Sequence, residues 1–248
     1  MEIVAIIPAR YNSSRFPGKP LVDICGKPMI WWVYKQVKKV KEINDIIVAT
    51  DDERIEKVCH EYSMNVYMTQ KSHKTSTERA YEVAQNKRAD LYIVINGDEP
   101  LIEPEVISKI IPKGKIERFY VGNLMTKIKR ASEVVDFTNI KVVIDEYRNA
   151  IYFSRSPIPY PKASLEYDYY KHVGVLAYSI EALEFFASST PSRNEKIEDI
   201  NELRFIDYGK IIHMTEVDAN SLSVDTPKDV EVVRKQISQM MYKASCIL

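Results

Sequence analysis

The chain has 248 residues, of which 45% are hydrophobic, so it is long and apolar enough for one large domain or two small ones. Its 35 basic residues balance its 35 acidic ones, which argues against a non-specific nucleic-acid binder but leaves room for a local cationic pocket. The three cysteines lack Cys-x-x-Cys spacing, no apolar run approaches about 18 residues, and the first residues lead directly into a predicted strand without a leader pattern. These features argue against a disulfide framework, a zinc site and a membrane span, and we expect a cytoplasmic protein.

In the first half of the chain, short apolar runs alternate with segments of helical periodicity. Pro8 is expected to end the first strand, Thr50-Asp51-Asp52 to cap the second helix, and Ser76 or Thr77 to cap the third. The pattern predicts strands over 3–7, 46–49, 65–68 and 91–95, and helices over 29–40, 53–62 and 77–88. Near-continuous apolar strands separated by helices predict a parallel sheet that is covered on both faces.

The second half of the chain is richer in strands. A hairpin turn is expected at Tyr147-Arg148-Asn149, and the prolines at 157, 159 and 161 exclude a regular helix or central strand there. The pattern predicts strands over 120–128, 140–144, 150–154, 172–178 and 211–217, and helices over 180–187, 196–206 and 227–241. The simplest interpretation is one α/β domain over 1–248, in which an inserted mixed-sheet lobe over roughly 120–180 carries an extended arm that contributes to a dimer contact.

The loop after the first strand carries three cations within ten residues: Arg10, Arg15 and Lys19. Ser13, Ser14 and Gly18 let its backbone approach a ligand closely. Open α/β sheets bind ligands beyond the carboxyl ends of their strands, and guanidinium groups grip phosphate oxygens in pairs. The loop therefore suits a polyanion, although a solvated basic loop explains its composition equally well.

Two acidic motifs follow later in the chain. Asp98 lies in Gly97-Asp98-Glu99-Pro100, directly after a buried strand, and Asp225 lies in Val224-Asp225-Thr226-Pro227 before a predicted helix. Carboxylates at such an edge are suitable ligands for Mg²⁺, whereas a turn role for Asp98 and a helix-cap role for Asp225 are the structural alternatives. The chain contains neither Gly-x-x-x-x-Gly-Lys-Ser/Thr nor Gly-x-Gly-x-x-Gly, which makes a P-loop kinase or a Rossmann dehydrogenase a poor candidate.

The cationic loop, Thr77-Glu78-Arg79 and the two acidic motifs occur in an order that resembles the 3-deoxy-manno-octulosonate (Kdo) cytidylyltransferases. The resemblance continues through Gly26-Lys27-Pro28, Tyr152-Phe153-Ser154-Arg155 and His172-x-Gly174. It implies a Rossmann-like, nucleotide-diphospho-sugar transferase-like fold and the transfer of CMP from CTP to the anomeric hydroxyl of a sugar acid, for lipopolysaccharide or capsule synthesis. It also implies a homodimer that binds neither nucleic acid nor membrane.

The resemblance also implies a role for each site residue. Asp98 and Asp225 hold Mg²⁺, and Arg10, Arg15 and Lys19 bind the triphosphate. Thr77 and Arg79 help to frame the nucleotide pocket, while Arg155 and His172 lie towards the sugar acid. The full set of substrate-binding residues implied besides the three cations is Ala9, Ser14, Thr77, Arg79, Asn96, Arg155 and His172. A surface helix charge is the alternative for Arg79, and a hydrogen-bonded strand residue is the alternative for His172.

Departures from the family pattern cluster on the acceptor side. Asn96 replaces a glutamine, Leu176 an aromatic residue, and Asn201-Glu202 a Glu-Gln pair, while Ser76 replaces a glycine. Buried polar groups discriminate strongly between substrates, so these changes favour a variant sugar acid. The alternatives are a nonulosonic acid, a phosphonate or another hydroxy acid as acceptor, and a CTP-binding protein without transferase activity.

Overall fold

The computed structural model describes residues 1–12, 16–164, 166–219 and 222–245. The strands are β1 (Ile3–Ala9), β2 (Asp23–Ile24), β3 (Lys27–Pro28), β4 (Asp45–Thr50), β5 (Val66–Met68), β6 (Leu91–Ile95), β7 (Val121–Lys127), β8 (Lys141–Ile144), β9 (Ala150–Ser154), β10 (Tyr170–Tyr178) and β11 (His213–Glu216). The helices are α1 (Met29–Val37), α2 (Glu53–Glu61), α3 (Ser76–Asn86), α4 (Pro104–Ser108), α5 (Ala131–Val135), α6 (Ile180–Ser188), α7 (Arg193–Glu198), α8 (Glu202–Asp207) and α9 (Pro227–Ser245).

A mixed sheet with the strand order β11-β7-β10-β6-β1-β4-β5 forms the centre of the molecule. The pairs β1/β4, β1/β6, β4/β5 and β11/β7 are parallel, whereas β10 runs antiparallel to both β6 and β7. The hairpin of β8 and β9 joins the sheet through β10. The predicted α/β class with a mostly parallel sheet is confirmed, and the mixed-sheet segment over 120–180 is continuous with that sheet through β7 and β10.

Each central strand sends alternate side chains to two separate cores. In β1, Ala5 and Ile7 face the core that α1, α2 and α4 cover, while Val4 and Ile6 face the core under α3, α6 and α8. All four side chains are fully buried. Strands buried on both faces need apolar residues at successive positions, which explains the unbroken apolar runs in the sequence.

Two helix starts show how local sequence fixes the loops at the sheet edge. The side chain of Asp52 accepts a 3.0 Å hydrogen bond from the amide of Arg54, so it caps α2 as predicted. The cap of α3 is Thr75, one residue before the predicted Ser76 or Thr77. Thr75 accepts from the amide of Glu78 at 3.1 Å, and the Glu78 carboxylate accepts from the amide of Thr75 at 3.2 Å. This reciprocal capping box satisfies two donors at once, which a cap at either later residue does not.

Other predicted boundaries were also wrong. Pro8 lies inside β1, because β6 pairs only with residues 3–6 of β1 and leaves an open edge beside the proline. The first helix ends at Val37 rather than at residue 40. The helix predicted over 196–206 is two helices, α7 and α8, separated by Asp199 in the left-handed conformation at φ 54°.

Other features either confirm the sequence-based prediction or were not predicted. Arg148 adopts a φ of 62° in the turn between β8 and β9, which confirms the predicted hairpin. The described residues between β9 and β10 form neither helix nor strand, as the prolines predicted. Helices α4 and α5 were not predicted, because five residues are too few to show a periodicity. No helix among the described residues is long and apolar enough to cross a membrane.

Candidate active site

The candidate catalytic residues follow strands that end at one edge of the sheet. Arg10 comes directly after β1, and Asp98 follows β6, which lies beside β1. Asp225 comes after β11, which runs parallel to β7. Because β10 is antiparallel, its beginning, with Lys171 and His172, lies at this same edge. The edge is where open α/β sheets bind their ligands.

The ammonium group of Lys19 joins the two acidic motifs. Its Nζ atom lies 2.9 Å from Asp98 Oδ2 and 3.6 Å from Asp225 Oδ1. The lysine side chain is 15% exposed and the two aspartate side chains are each 25% exposed, so the three charges are partly withdrawn from water. Their attraction is therefore stronger than that of a fully exposed pair. Both aspartates thus meet Lys19, one of the three first-loop cations predicted to converge on them.

Backbone contacts fix where the two carboxylates lie. The carboxylate of Asp229 accepts from the amides of Asp225 and Thr226 at 3.0 and 2.7 Å, and so holds the start of α9. A Cβ atom at Gly97 would lie 3.1 Å from the carbonyl oxygen of Pro8. The glycine before Asp98 is therefore required by close approach to β1, which places the aspartate against the end of that strand.

A cavity of about 650 Å³ opens beside the two aspartates. Asn96, Asp98 and Asp225 line one part of it, and Arg155 and His172 line another. The wall between these parts includes Gly174, where a Cβ atom would lie only 2.5 Å from Asn96 Nδ2. The absence of a side chain at Gly174 thus leaves room for the amide of Asn96.

His172 is held as a neutral ring with a defined tautomer. Burial lowers its pKa from the ordinary value of 6.5, and this effect outweighs the negative charges of Glu202 and Asp98, which raise it. Asn123 Nδ2 donates to the carbonyls of Val173 and Val175, each at 3.0 Å, so its Oδ1 atom is an acceptor. Nδ1 of His172 lies 2.9 Å from that oxygen and must donate to it. Nε2 is then left as a hydrogen-bond acceptor in the wall of the cavity.

The guanidinium group of Arg155 is engaged by backbone carbonyls. Nε donates to the carbonyl of Glu198 at 2.7 Å, Nη2 to that of Asp199 at 3.0 Å and Nη1 to that of Phe137 at 3.2 Å. Arg155 lies in the cavity wall as predicted, and it ties the turn between α7 and α8 to the segment after α5.

The other predicted site residues lie around this centre or outside it. Arg10 is exposed, and Nη1 donates to the carbonyl of Lys74 at 2.9 Å. Ala9 is buried at the end of β1. Ser14 and Arg15 lie outside the described residues, so their predicted roles stay predictions.

Thr77 and Arg79 are buried rather than in the cavity wall. The Arg79 side chain is fully buried, hydrogen-bonded to Thr69 and paired with Asp51 at 3.0 Å, so it is not a surface helix charge. Burial raises the pKa of Tyr178, and a hydrogen bond from the side chain of Thr77 offsets part of this increase. The predicted contribution of both residues to the nucleotide pocket stays a prediction.

Three residues that support the site, Lys141, Asn123 and Asp229, were not predicted from the sequence to have a role there. Lys141 is fully buried, and its ammonium donates to the carbonyls of Asp136, Asn139 and Arg155 at 3.0, 2.6 and 2.5 Å. A lysine at the start of a buried strand is the signal that was available. Asn123, inside the apolar strand β7, gave a similar signal, whereas Asp229 looks like an ordinary first-turn acid.

The donor set fits a magnesium ion. Both carboxylates already contact one cation, the ammonium of Lys19. No cluster of three or more His, Cys, Asp or Glu side chains arranged for a metal occurs within the described ranges. Mg²⁺ commonly takes only one or two carboxylates from a protein and completes its octahedron with water and substrate phosphates. Asp98 and Asp225 therefore suit Mg²⁺ that arrives with a nucleotide better than a permanently bound metal.

Comparison with known proteins identifies the family of the chain. A family model described as Cytidylyltransferase matches residues 4–212. A 3-deoxy-manno-octulosonate cytidylyltransferase of Geotalea uraniireducens (strain Rf4) is 40% identical over 251 residues, covering 96% of this chain and 100% of the relative. An 8-amino-3,8-dideoxy-manno-octulosonate cytidylyltransferase of Shewanella pealeana (strain ATCC 700345 / ANG-SQ1) is 37% identical, covering 96% and 99%.

The solved structure of a CMP:2-keto-3-deoxy-manno-octonic acid synthetase complexed with CTP is similar over the whole chain. It superposes with a TM-score of 0.89 at 38% identity, covering 97% of this chain and 100% of that one. The resemblance inferred from the ordered motifs is thereby confirmed. The chain belongs to the cytidylyltransferase family.

Proposed function

We propose that this protein transfers CMP from CTP to the anomeric hydroxyl of a 3-deoxy-2-ulosonic acid, Kdo or a close variant, and releases pyrophosphate. The observation that carries the proposal is the contact of Lys19 with both Asp98 and Asp225 at the ligand-binding edge of the sheet. The CTP-bound synthetase and the octulosonate cytidylyltransferases described above support the same reaction.

The main physical problem of this reaction is charge. An acceptor hydroxyl must reach the α-phosphate of CTP against several negative oxygens, and further charge develops on the departing pyrophosphate. Lys19 lies where it can offset part of that charge, and Arg10 adds a second cation at the end of β1. We propose that Asp98 and Asp225 hold Mg²⁺ against the nucleotide phosphates. Bound there, the ion would stabilise the phosphate charge and lower the pKa of the attacking hydroxyl.

The acceptor is proposed to bind in the part of the cavity that Asn96 and His172 line. Nε2 of His172 accepts a hydrogen bond from an acceptor hydroxyl, because Nδ1 is already bound to Asn123. The amide of Asn96 offers both a donor and an acceptor. These neutral groups orient the acid without adding charge near the nucleophile.

Pyrophosphate release from CTP tests the reaction. We expect release with Mg²⁺ and Kdo, and a loss of about 10³-fold or more in kcat for Asp98→Asn, because the amide is a poor metal ligand and removes one of the two carboxylates that pair with Lys19. Asp168→Asn is the matched control, since Asp168 pairs with Lys127 and its side chain is 50% exposed. A near-native rate for Asp98→Asn would show that the metal assignment is wrong.

A variant octulosonic acid is the second candidate acceptor. The relative that acts on an 8-amino-3,8-dideoxy acid is 37% identical to this chain, only slightly less than those named for Kdo. Of the departures from the family pattern, Asn96 lines the cavity. Glu202 is 8% exposed and its charge reaches His172, while Leu176 is buried on β10. Relative kcat/KM values for Kdo and its 8-amino analogue decide between the two acceptors.

Other expectations remain predictions. A homodimer, a cytoplasmic compartment and a role in lipopolysaccharide or capsule synthesis follow from the resemblance and from the cysteine pattern. A CTP-binding protein without transferase activity is disfavoured, because both acidic motifs converge with Lys19. Sedimentation of the purified chain tests the dimer.

A further inference from the structure

We infer that Lys171, rather than Arg155, is the side chain that binds the carboxylate of the acceptor acid. This inference rests on the proposed function and adds the residue that selects for an acid. The sequence pointed to Arg155 or a cation near it. The contacts of the folded chain separate these candidates.

The cavity presents a repulsive environment to an incoming acid. Six carboxylates line it, from Asp98, Glu99, Glu133, Asp136, Asp225 and Asp229. Three basic side chains among the described residues line the same cavity, from Arg130, Arg155 and Lys171. A carboxylate that leaves water for such a site needs a fixed cationic partner, because an unpaired buried charge is costly. Among the described residues of the cavity wall, these three side chains are the candidates for that partner, since Lys19 already pairs with Asp98 and Asp225.

Arg155 already has a structural role. Three of its five N–H groups donate to carbonyls of Glu198, Asp199 and Phe137, and these bonds span both sides of the group. Its own carbonyl accepts from Lys141, and its amide donates to the Glu198 carboxylate at 3.0 Å. Turning this guanidinium towards a ligand would break bonds that join three segments of the wall.

Arg130 is directed to solvent and is already paired. Its side chain is 72% exposed, and Nη2 lies 2.5 Å from Glu133 Oε1 while Nε lies 2.6 Å from the same oxygen. Burial would raise the pKa of Glu133, but its bonds with Arg130 and the charge of Lys171 lower it, so the group stays ionised. Arg130 thus neutralises Glu133, and an exposed cation of this kind contributes little to binding.

Lys171 differs from Arg155, because its ammonium contacts two side chains and, among the described residues, no backbone carbonyl. Its side chain is 24% exposed, and Nζ lies 3.3 Å from Glu133 Oε2 and 3.3 Å from Asn139 Oδ1. Both contacts are at the long end of hydrogen-bond distances, and within the described residues they leave the third N–H of the ammonium without an acceptor.

The support around Lys171 is rigid. It is the second residue of β10, next to His172, and its backbone pairs with Thr126 of β7 and Lys141 of β8. Asn139, which contacts its ammonium, is held through its carbonyl by the buried Lys141. A lysine held between two strands in this way places its charge with little loss of conformational freedom on binding.

Substitution combined with a modified acceptor tests the inference. For Lys171→Met we expect the KM for the acid to rise about 10- to 100-fold, as for loss of one charge-assisted hydrogen bond, with the KM for CTP unchanged. Lys171→Arg should restore most of the affinity. Lys127→Met is the matched control on the neighbouring strand, where the lysine pairs with Asp168 instead.

The C1 amide of the same acceptor distinguishes recognition from a structural role. If Lys171 binds the carboxylate, the amide loses affinity for the wild type but loses little more for Lys171→Met, so the two changes are not additive. Full additivity, or an unchanged KM for the acid in Lys171→Met, would overturn the inference. Lys171→Gln repeats the measurement should Lys171→Met fail to fold.

Calorimetric titration with the acid separates this inference from the proposed function. Absence of pyrophosphate release with any octulosonic acid would refute the proposed function alone. Binding of the acid that is weaker in Lys171→Met than in the wild type would still support Lys171. Equal binding to both proteins would refute its role whatever the turnover.

Discussion

The amide of Val224 donates a 2.8 Å hydrogen bond to the carbonyl oxygen of Asp98. The two residues are far apart in the sequence, yet this bond joins the two acidic motifs directly. It fixes the backbone before Asp225 against the backbone of Asp98, while Lys19 bridges the carboxylates themselves. The placement of the two proposed metal ligands therefore depends on the folded backbone as well as on their side chains.

Replacing Lys19 separates its structural role from its role in catalysis. In Lys19→Met the carboxylates of Asp98 and Asp225 lose their shared cation, so without nucleotide we expect Mg²⁺ to raise the melting temperature more than in the wild type. We expect kcat to fall about 10²-fold, because a charge that faces the phosphates is lost. Thermal unfolding with and without MgCl₂, followed by pyrophosphate release, measures both effects. An equal Mg²⁺ response in the two proteins would contradict this account.

Gly97→Ala tests the close approach of two strand ends. The added Cβ atom would meet the carbonyl of Pro8 at 3.1 Å, so either β1 or the turn that carries Asp98 must shift. We expect a loss of about 1–3 kcal/mol in the free energy of unfolding and about tenfold or more in kcat. At Gly114 a Cβ atom would meet nothing within 4 Å, so Gly114→Ala is the control for both measurements. Equal behaviour of the two variants would refute the packing argument.

The buried pair of Arg204 and Glu195 should be far more sensitive than a surface pair. Their side chains are 2% and 8% exposed, and two hydrogen bonds of 2.5 and 2.7 Å join them. Arg204→Met leaves Glu195 charged and buried, so we expect about 3–5 kcal/mol of destabilisation in urea unfolding. Arg118→Met breaks a pair whose arginine side chain is 91% exposed, and no measurable change is expected there.

His172 should make the fold sensitive to acid. Its pKa is lowered from 6.5 by burial, so the unfolded chain binds more protons than the folded chain between the folded pKa and 6.5. Above pH 6.5 the imidazole is neutral in both states and does not disfavour the fold. As the pH falls from 6.5 through the pKa of the folded state, the free energy of unfolding decreases. We expect His172→Gln to lose less unfolding free energy than the wild type between pH 7.5 and 5.5.

His60→Gln is the control for that pH dependence, because the His60 side chain is 69% exposed. It should follow the wild-type profile. A wild-type profile for His172→Gln as well would show that His172 does not titrate differently in the two states.

Two of the local errors in the sequence-based prediction share one cause. The break between α7 and α8 depends on Asp199 in a left-handed conformation, which a non-glycine residue adopts where tertiary contacts support it. Its carbonyl accepts from Arg155, a contact from another part of the chain. The position of Pro8 inside β1 similarly depends on where β6 stops pairing. Neither fact is visible in a window of neighbouring residues.

The sequence by itself determined the α/β class, the order of most elements and the two acidic motifs. It did so because apolar periodicity, capping residues and short motifs are local, and because buried strands need continuous apolar residues. Only the tertiary structure decided which of the cationic side chains are available to bind a ligand. Arg155, Lys171 and Lys141 are all cationic positions in the sequence, but only the folded chain engages Arg155 and Lys141 with carbonyls. Charge is a property of a residue, whereas the freedom of that charge to meet a ligand is set by neighbours that come from distant parts of the chain.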